Sequence, residues 1–313
     1  MSETKKIFID TDCGIDDAVA IMLALSSPEV DVTGISCVAG NTDIDSVIKN
    51  VCGLLSFFCR TDIPVYRGFP HSLIGTKLNA DDVHGKGGLG GVELEAIGKR
   101  VEKKNALDGL LEAAKANPGL TLVTLGPLTN IAAALNLYPQ LKGLIGEIVV
   151  MGGAIGPGNV TKYAEFNFAF DPEAVTSCLS CEMPMKILTW DATVELTFTE
   201  KEYDALDMGG SEPGDLFLDL QRFYMNYKER TYGKRVINFP DPLTMACVID
   251  PDIITASENM GLRMVLDRNS EKRGASLDAA AENQKADGKA QVITECSRDR
   301  FTSLIKRIKD YPC

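Results

Sequence analysis

The stretch Asp10–Asp17, DTDCGIDD, puts four carboxylates within eight residues. Like charges this close repel, and in a low-dielectric site they cannot all ionise without a compensating positive charge. The segment is therefore either fully solvated or built around a cation. On a strand, Asp10 and Asp12 share one face and Thr11 takes the other. Gly14 reads as the residue that permits a sharp turn into a helix. Asp16 and Asp17 then fall in that helix's first turn, where the N-terminal dipole favours negative charge. Carboxylates from a strand end and a helix start can converge on one hard cation, and calcium or magnesium takes oxygen ligands at such places. Helix capping alone accounts for Asp16 or Asp17, but not for Asp10 and Asp12 on an apolar strand.

The elements that must position this cluster are readable from periodicity. Lys5–Ile9 (KKIFI) is a short apolar run ending in Asp10, and Ile15–Ser26 has helical length with Val19, Met22 and Leu23 on one stripe. Glu29–Val38 is β-branched and strand-like, and Thr42–Cys59 is a helix candidate. Leu120–Leu125 (LTLVTL) reads as a strand followed by a Gly126-Pro127 turn and a helix through Leu137; Glu147–Met151 and Met185–Thr189 read as further strands. Alternating strands and helices with continuously apolar strands predict an α/β fold: an open, mostly parallel central sheet with helices on both faces, Rossmann-like, in a single domain over residues 1–313. Two stretches break the rhythm. Residues 67–98 are Gly-rich and weakly periodic, and residues 267–290 are polar and read as a solvated surface connection. Loops near 67–98 and 222–240 are expected to be mobile.

Bulk composition narrows the partners. With 32 Lys+Arg against 44 Asp+Glu the net charge is −12, and no basic block stands out, which argues against a nucleic-acid or anionic membrane partner. No apolar run approaches membrane-spanning length, and the chain enters its first strand without a signal-peptide core, so a cytoplasmic location is expected. Nine cysteines, an odd number, suit reduced thiols; Cys13, Cys37, Cys52, Cys59 and Cys247 read as buried. Cys178 and Cys181 form a lone CxxC late in a helical run and read as helix-face residues rather than a zinc or redox pair.

In an open parallel sheet ligands bind outside the carboxyl ends of the strands. Ala39-Gly40-Asn41-Thr42 follows the second strand, Gly152-Gly153 the EIVVM strand, then Gly158-Asn159 and Ala164–Asn167 (AEFN); late in the chain Asp241 sits between two prolines before a helix. The Leu125 carbonyl, at the Gly126-Pro127 turn, would be free of ladder bonding. Together these describe a rim of carboxylates, amides and one carbonyl around a cation, suited to a polyhydroxylated small molecule.

These pieces, in this order, resemble the nucleoside hydrolase family, the inosine-uridine preferring type. The matching stretches are DTDCGIDDAVA, AGNT, DDVHGKGGLG, LGPLTNIAAAL, VVMGGA, GN then AEFNFAFDPEA, and DPLT, spanning about residue 5 to 250. The resemblance implies hydrolysis of the N-glycosidic bond of ribonucleosides, giving ribose and a free purine or pyrimidine base. It implies one Ca2+ held by Asp12, Asp17, Asp241 and the Leu125 carbonyl, with Asp12 as the base that deprotonates the attacking water. Asp10 would be structural. Asp16, Asn41 and Asn167 would contact the ribose 2′- and 3′-hydroxyls, Asn159 and Glu165 the 5′ side, with Met151 against the sugar and His84 near it. A homodimer or homotetramer is the family's usual assembly.

One position departs from the family. Where members carry a histidine or tryptophan before the late aspartate, this chain has Pro240, which can neither donate a proton nor stack like an indole. The single tryptophan, Trp190, reads as core. Tyr224, Tyr227, Tyr232, Arg222, Lys228 and Arg230 lie in a helical run over 217–235; each alone reads as a surface residue, although a tyrosine or a pocket-facing cation among them could serve the departing base. Two other readings compete. Gly214–Asp219, GDLFLD, matches an acidic motif of haloacid-dehalogenase-like phosphatases but stands at a helix start, and DTDCG lacks their Gly-Thr/Ser continuation. A nucleoside-binding, non-catalytic family member would bind without turnover.

Overall fold

The computed structural model describes residues 4–76 and 78–312. Nine of its strands form one sheet. β1 (Lys5–Thr11), β2 (Val30–Cys37), β3 (Val65–Arg67), β4 (Leu120–Thr124), β5 (Ile145–Met151) and β6 (Met185–Leu188) are parallel and lie in the order β3-β2-β1-β4-β5-β6. β7 (Phe198–Thr199) and β8 (Val236–Ile237) form a separate antiparallel ribbon. The main sheet is extended past β6 by β11 (Gly288–Cys296), parallel to it, then by β9 (Ile254–Met264) and β10 (Ser276–Asp278) as antiparallel neighbours.

Side-chain alternation explains the two-sided core. Ile7 and Ile9 of β1 face one layer, with Val19, Ile21 and Leu23 of the helix Ile15–Leu25 and Leu243 and Met245 of the helix Pro240–Ile249. Phe8 faces the other, with Leu110 of the helix Ala106–Ala116, Ile131 of the helix Thr129–Leu137 and Val175 of the helix Pro172–Leu179. Each of these fully buried side chains contributes about 1.5–3 kcal/mol relative to exposure. A helix on each face leaves the strand ends as the open edge of the sandwich. The strand order reverses between β1 and β4, the place where an α/β sheet opens a crevice at its carboxyl ends.

Several expectations shift. Residues 267–290 are not merely a surface connection: they contain β10 and lead into β11, because Ser276–Asp278 pairs with Leu262–Met264 and closes the sheet edge. The loop 67–98 carries a helical turn, Asp81–His84. The helix over 217–235 begins earlier and ends sooner, at Glu212–Tyr232, capped by the Ser211 side chain and stopped by Gly233 at φ 65°. Cys59 is exposed rather than buried, since it lies just past the helix Ile44–Phe57 in a left-handed turn at φ 53°. Cys178 lies in the last turn of its helix and is buried, with Cys181 two residues beyond the helix end; both are free thiols. Among the described residues no helix is long and apolar enough to cross a membrane.

Candidate active site

Beyond the carboxyl ends of β1, β4, β5 and β6 lies a cavity of about 340 Å³. The β1 end builds its floor. Thr11 donates from Oγ1 to Asp17 Oδ1 at 2.5 Å, and the Gly14 N–H donates to Asp17 Oδ2 at 2.9 Å, so Asp17 caps its own helix while tying it to the strand. The turn runs through Cys13 at φ 20°, whereas Gly14 has an ordinary φ of −85°. Glycine is needed there for space: a Cβ would stand 2.5 Å from His84 Nδ1 and 2.7 Å from Asn41 Nδ2. Gly14 thus serves close packing, and the turn itself is made at Cys13.

Asp12 follows β1 and reaches between the loops after its two neighbours. Its Oδ2 accepts from the Asn41 N–H at 2.7 Å. A Cβ on Gly40 would overlap that oxygen, and one on Gly126 would stand 2.7 Å from Oδ1. Glycines on both flanks let the β2 and β4 loops close on the carboxylate. Asp10, one strand position back on the same face, is held by Ser36 Oγ and by Asn130 Nδ2 at 2.7 Å. Asn130 also donates to the Cys37 carbonyl at 3.1 Å and accepts from the Phe69 N–H at 2.9 Å, so one side chain joins β1, β2 and the following loop.

Asp16, Asp17 and Asp241 offer carboxylate oxygens that all lie within 4.8 Å of one another, a group that could bind a metal ion. Asp241 sits in the first turn of the helix Pro240–Ile249 rather than just before it. Asp12 stands next to this triad and shares its electrostatics. Burial, followed by the negative charge of Asp17, raises the Asp12 carboxyl well above the usual range. Burial and the charges of Asp16, Asp17 and Asp12 do the same to Asp241. Burial and then Asp17 push Asp16 up to about 7. Asp12 Oδ1 and Asp16 Oδ1 are buried without a hydrogen-bond partner among the described residues. Crowded, desolvated carboxylates with orphaned oxygens fit a hard cation.

The cavity lining brings together Asp16, Asn41, His84, Leu125, Met151, Asn159, Glu165, Asn167 and Asp241, nine of the eleven expected site residues. Asp12 and Asp17 are fully buried behind them. The Leu125 carbonyl is not idle: Asn167 Nδ2 donates to it at 2.7 Å and to the Met151 carbonyl at 3.2 Å. A carbonyl oxygen with one such bond keeps a second lone pair. Glu165 caps the short helix Phe166–Phe170, accepting from the Asn167 N–H at 2.8 Å and the Gly153 N–H at 2.8 Å; burial still raises its carboxyl to about 7. Asn159 Oδ1 accepts from the Phe166 N–H at 2.8 Å. His84 Nδ1 accepts from the Ile15 N–H at 3.0 Å, and burial lowers this imidazole to about 4, so it is neutral near pH 7.

The rest of the lining corrects the sequence reading. Trp190 is cavity wall, not core, because it directly follows the Thr189 end of the β6 segment, at the same rim as the other site loops. Tyr224 and Lys228 line the cavity rather than lying on the outer surface, with Tyr227 beside them, while Tyr232 lines the cavity and stays 57% exposed at its mouth. Their spacing of four residues aligns them on one face of the helix Glu212–Tyr232. That spacing was visible in the sequence; what it faced was not. Arg222 and Arg230, on the other side, are exposed. GDLFLD lies within the same helix, with Asp219 paired to Arg222 at 2.8 Å on the surface, away from the cavity, so it forms no phosphatase site.

An acidic group that could hold a metal ion, at the switch point of a Rossmann-like sheet and walled by amides and aromatic rings, makes this cavity a site for a small molecule. Residues 7–303 match the model of the inosine-uridine preferring nucleoside hydrolases, and the chain belongs to that family, whose members cleave the N-glycosidic bond of ribonucleosides. It is 35% identical over 260 residues to the pyrimidine-specific ribonucleoside hydrolase RihB of Escherichia coli strain SE11, covering 82% of each chain. Its structure resembles a plant nucleoside hydrolase, PpNRh1, with a TM-score of 0.91 and 33% identity, covering 99% of this chain and 100% of that one. It also resembles the purine-preferring ribonucleoside hydrolase of Gardnerella vaginalis, with a TM-score of 0.87 and 28% identity, covering 98% and 99% of the two chains.

Proposed function

We propose that this chain is a calcium-dependent ribonucleoside hydrolase whose sugar site and base site are built by different parts of the fold. The observation that carries the metal-dependent reading is the convergence of Asp16, Asp17 and Asp241 beside Asp12, with two buried oxygens left unpaired. Asp12, Asp17, Asp241 and the Leu125 carbonyl would hold the ion. When bound, calcium supplies charge that acidifies a water and orients ribose hydroxyls.

Asp12 accepts the proton of the attacking water, whose oxygen bonds to C1′ of the ribose. The C1′–N bond breaks with its electron pair passing to the base. The remaining negative charge of the cluster stabilises the oxocarbenium-like transition state. Asp16, Asn41 and Asn167 hold the 2′- and 3′-hydroxyls, Asn159 and Glu165 the 5′ side, and Met151 and His84 close around the sugar. Neutral His84 is suited to a hydrogen bond rather than to a charge contact.

Trp190, Tyr224, Tyr227 and Tyr232 give the base flat aromatic neighbours that suit a purine or a pyrimidine ring. The relatives span both preferences by name. The test is ribose release from a panel of purine and pyrimidine nucleosides, with and without a calcium chelator, beside Asp12→Ala. Turnover that is lost on chelation and in Asp12→Ala supports the reading. Calcium and nucleoside binding without ribose release overturns it in favour of a binding protein.

A further inference from the structure

Lys228 lines the same cavity as Asp16 and Asp241, yet no role described above uses it. The residue is only 8% exposed. Its Nζ lies 5.4 Å from the ring centroid of Trp190, 5.2 Å from that of Tyr224 and 5.3 Å from that of Tyr232. Among the described residues its ammonium forms no ion pair and no hydrogen bond; the three rings are its contacts. Ring faces recover part of the cost of desolvating a cation, about 0.5–2 kcal/mol each, but they accept none of its N–H bonds well. An ammonium is a donor only, with three protons to place. A largely buried cation held by rings, without a carboxylate, keeps its N–H donors for something that enters the cavity.

We propose that Lys228 is the proton donor to the departing base, the task for which Pro240 beside Asp241 has neither an N–H nor a titratable group. The inference rests on the hydrolase reading above. As the C1′–N bond breaks and its electron pair moves to the base, the Lys228 ammonium gives one proton to a ring nitrogen or carbonyl oxygen of the base and becomes a neutral amine. The water oxygen bonds to C1′ and its proton goes to Asp12. Ribose and the neutral base leave; Asp12 loses its proton to solvent and Lys228 regains one, which restores both groups. Burial lowers Lys228 to about 8, close to the range where a donor works best near neutrality. Tyr224, the other polar group on this helix face that is drawn inward, is pushed well above the usual phenol range by burial and is the weaker acid.

The experiment compares a nucleoside that the wild type cleaves with 4-nitrophenyl β-ribofuranoside, whose leaving group needs no proton. Lys228→Met keeps the apolar stem and removes the charge. Its kcat on the nucleoside is expected to fall about 100-fold or more, with the nitrophenyl riboside retained within a few-fold. Lys228→Arg keeps the charge but cannot release a proton near neutral pH, so it is expected to show the same rise in the nitrophenyl-to-nucleoside ratio. Equal losses on both substrates in a folded variant, or full nucleoside turnover in Lys228→Arg, would overturn the assignment. Should Lys228→Met fail to fold, Lys228→Arg decides by the same ratio. A wild type that cleaves neither substrate sinks the hydrolase reading itself, a different outcome from a flat ratio.

Discussion

Asn167 bridges two strand ends: its Nδ2 donates to the Leu125 carbonyl beyond β4 at 2.7 Å and to the Met151 carbonyl that ends β5 at 3.2 Å. One buried amide thus fixes the spacing of two adjacent loops that both line the cavity. Asn167→Leu fills similar volume without the donor and leaves both carbonyls buried and unpaired. We expect a loss of about 1–3 kcal/mol in denaturant unfolding and a weaker calcium affinity by titration calorimetry. Unchanged calcium affinity would show that the Leu125 carbonyl does not depend on the bridge.

Gly40 and Asp12 make a sharper test of geometry. The added methyl of Gly40→Ala overlaps Asp12 Oδ2 and must displace the carboxylate or the loop. Overpacking of this kind costs about 1–3 kcal/mol, and a shift of an ångström in a reacting group costs about 100-fold in rate. The expected result is a kcat loss much larger than the change in melting temperature suggests. A variant as active as the wild type would show that Asp12 tolerates movement and is not the base.

Asp10 and Asp12 are two residues apart and should behave differently. Asp10 Oδ1 accepts from both Ser36 and Asn130, and the residue lies outside the cavity lining, so Asp10→Ala should lower stability by about 1–3 kcal/mol while calcium still binds. Asp12→Asn should keep the fold and lose about 100- to 10,000-fold in kcat. Melting curves and initial rates on the two purified variants separate these outcomes, and the same profile for both would remove the distinction.

The buried carboxyls also give the metal-free protein a signed pH dependence. Burial raises Asp10, Asp16 and Glu165 to about 7, from ordinary values of 3.8, 3.8 and 4.5. Between about pH 4 and pH 7 the folded chain therefore holds protons that the unfolded chain has released. Stability falls with rising pH wherever the folded state binds more protons. In chelator the melting temperature should be lower at pH 8 than at pH 5, and added calcium should raise it more at pH 8, where the carboxylates are free to bind. Thermal scans at the two pH values check this. A chelated protein that gains stability from pH 5 to pH 8 would contradict the burial of these groups.

Five parallel strands, β1, β2, β4, β5 and β6, were legible because they are short, apolar and punctuated by glycine or aspartate; the three-residue β3 and the mixed-polarity β11 were not. The acidic cluster was legible because carboxylates on an apolar strand have no cheap structural explanation. Trp190 and Lys228 were not. A tryptophan after MKILT has the composition of a core residue, and only the three-dimensional end of β6 reveals the cavity beside it. Lys228 looks like any solvated helix lysine in sequence, since periodicity tells which residues share a face but not what that face meets. The strand β10 hid in a polar stretch because an edge strand is held by its ladder to β9 rather than by apolar side chains.

The cavity has two authors in the chain. Its carboxylates and amides come mostly from loops after β1, β2, β4 and β5, each locked to its neighbours by buried hydrogen bonds. Three of its aromatic and cationic positions, 224, 228 and 232, come from a single helix that carries none of those locks. Change at 224 and 232 can therefore alter which base is accepted while the carboxylates and amides of the sugar site stay intact, whereas 228 belongs to the bond-breaking step as well. The same division makes this helix the natural place to graft a new base preference, and the sheet the part to leave alone.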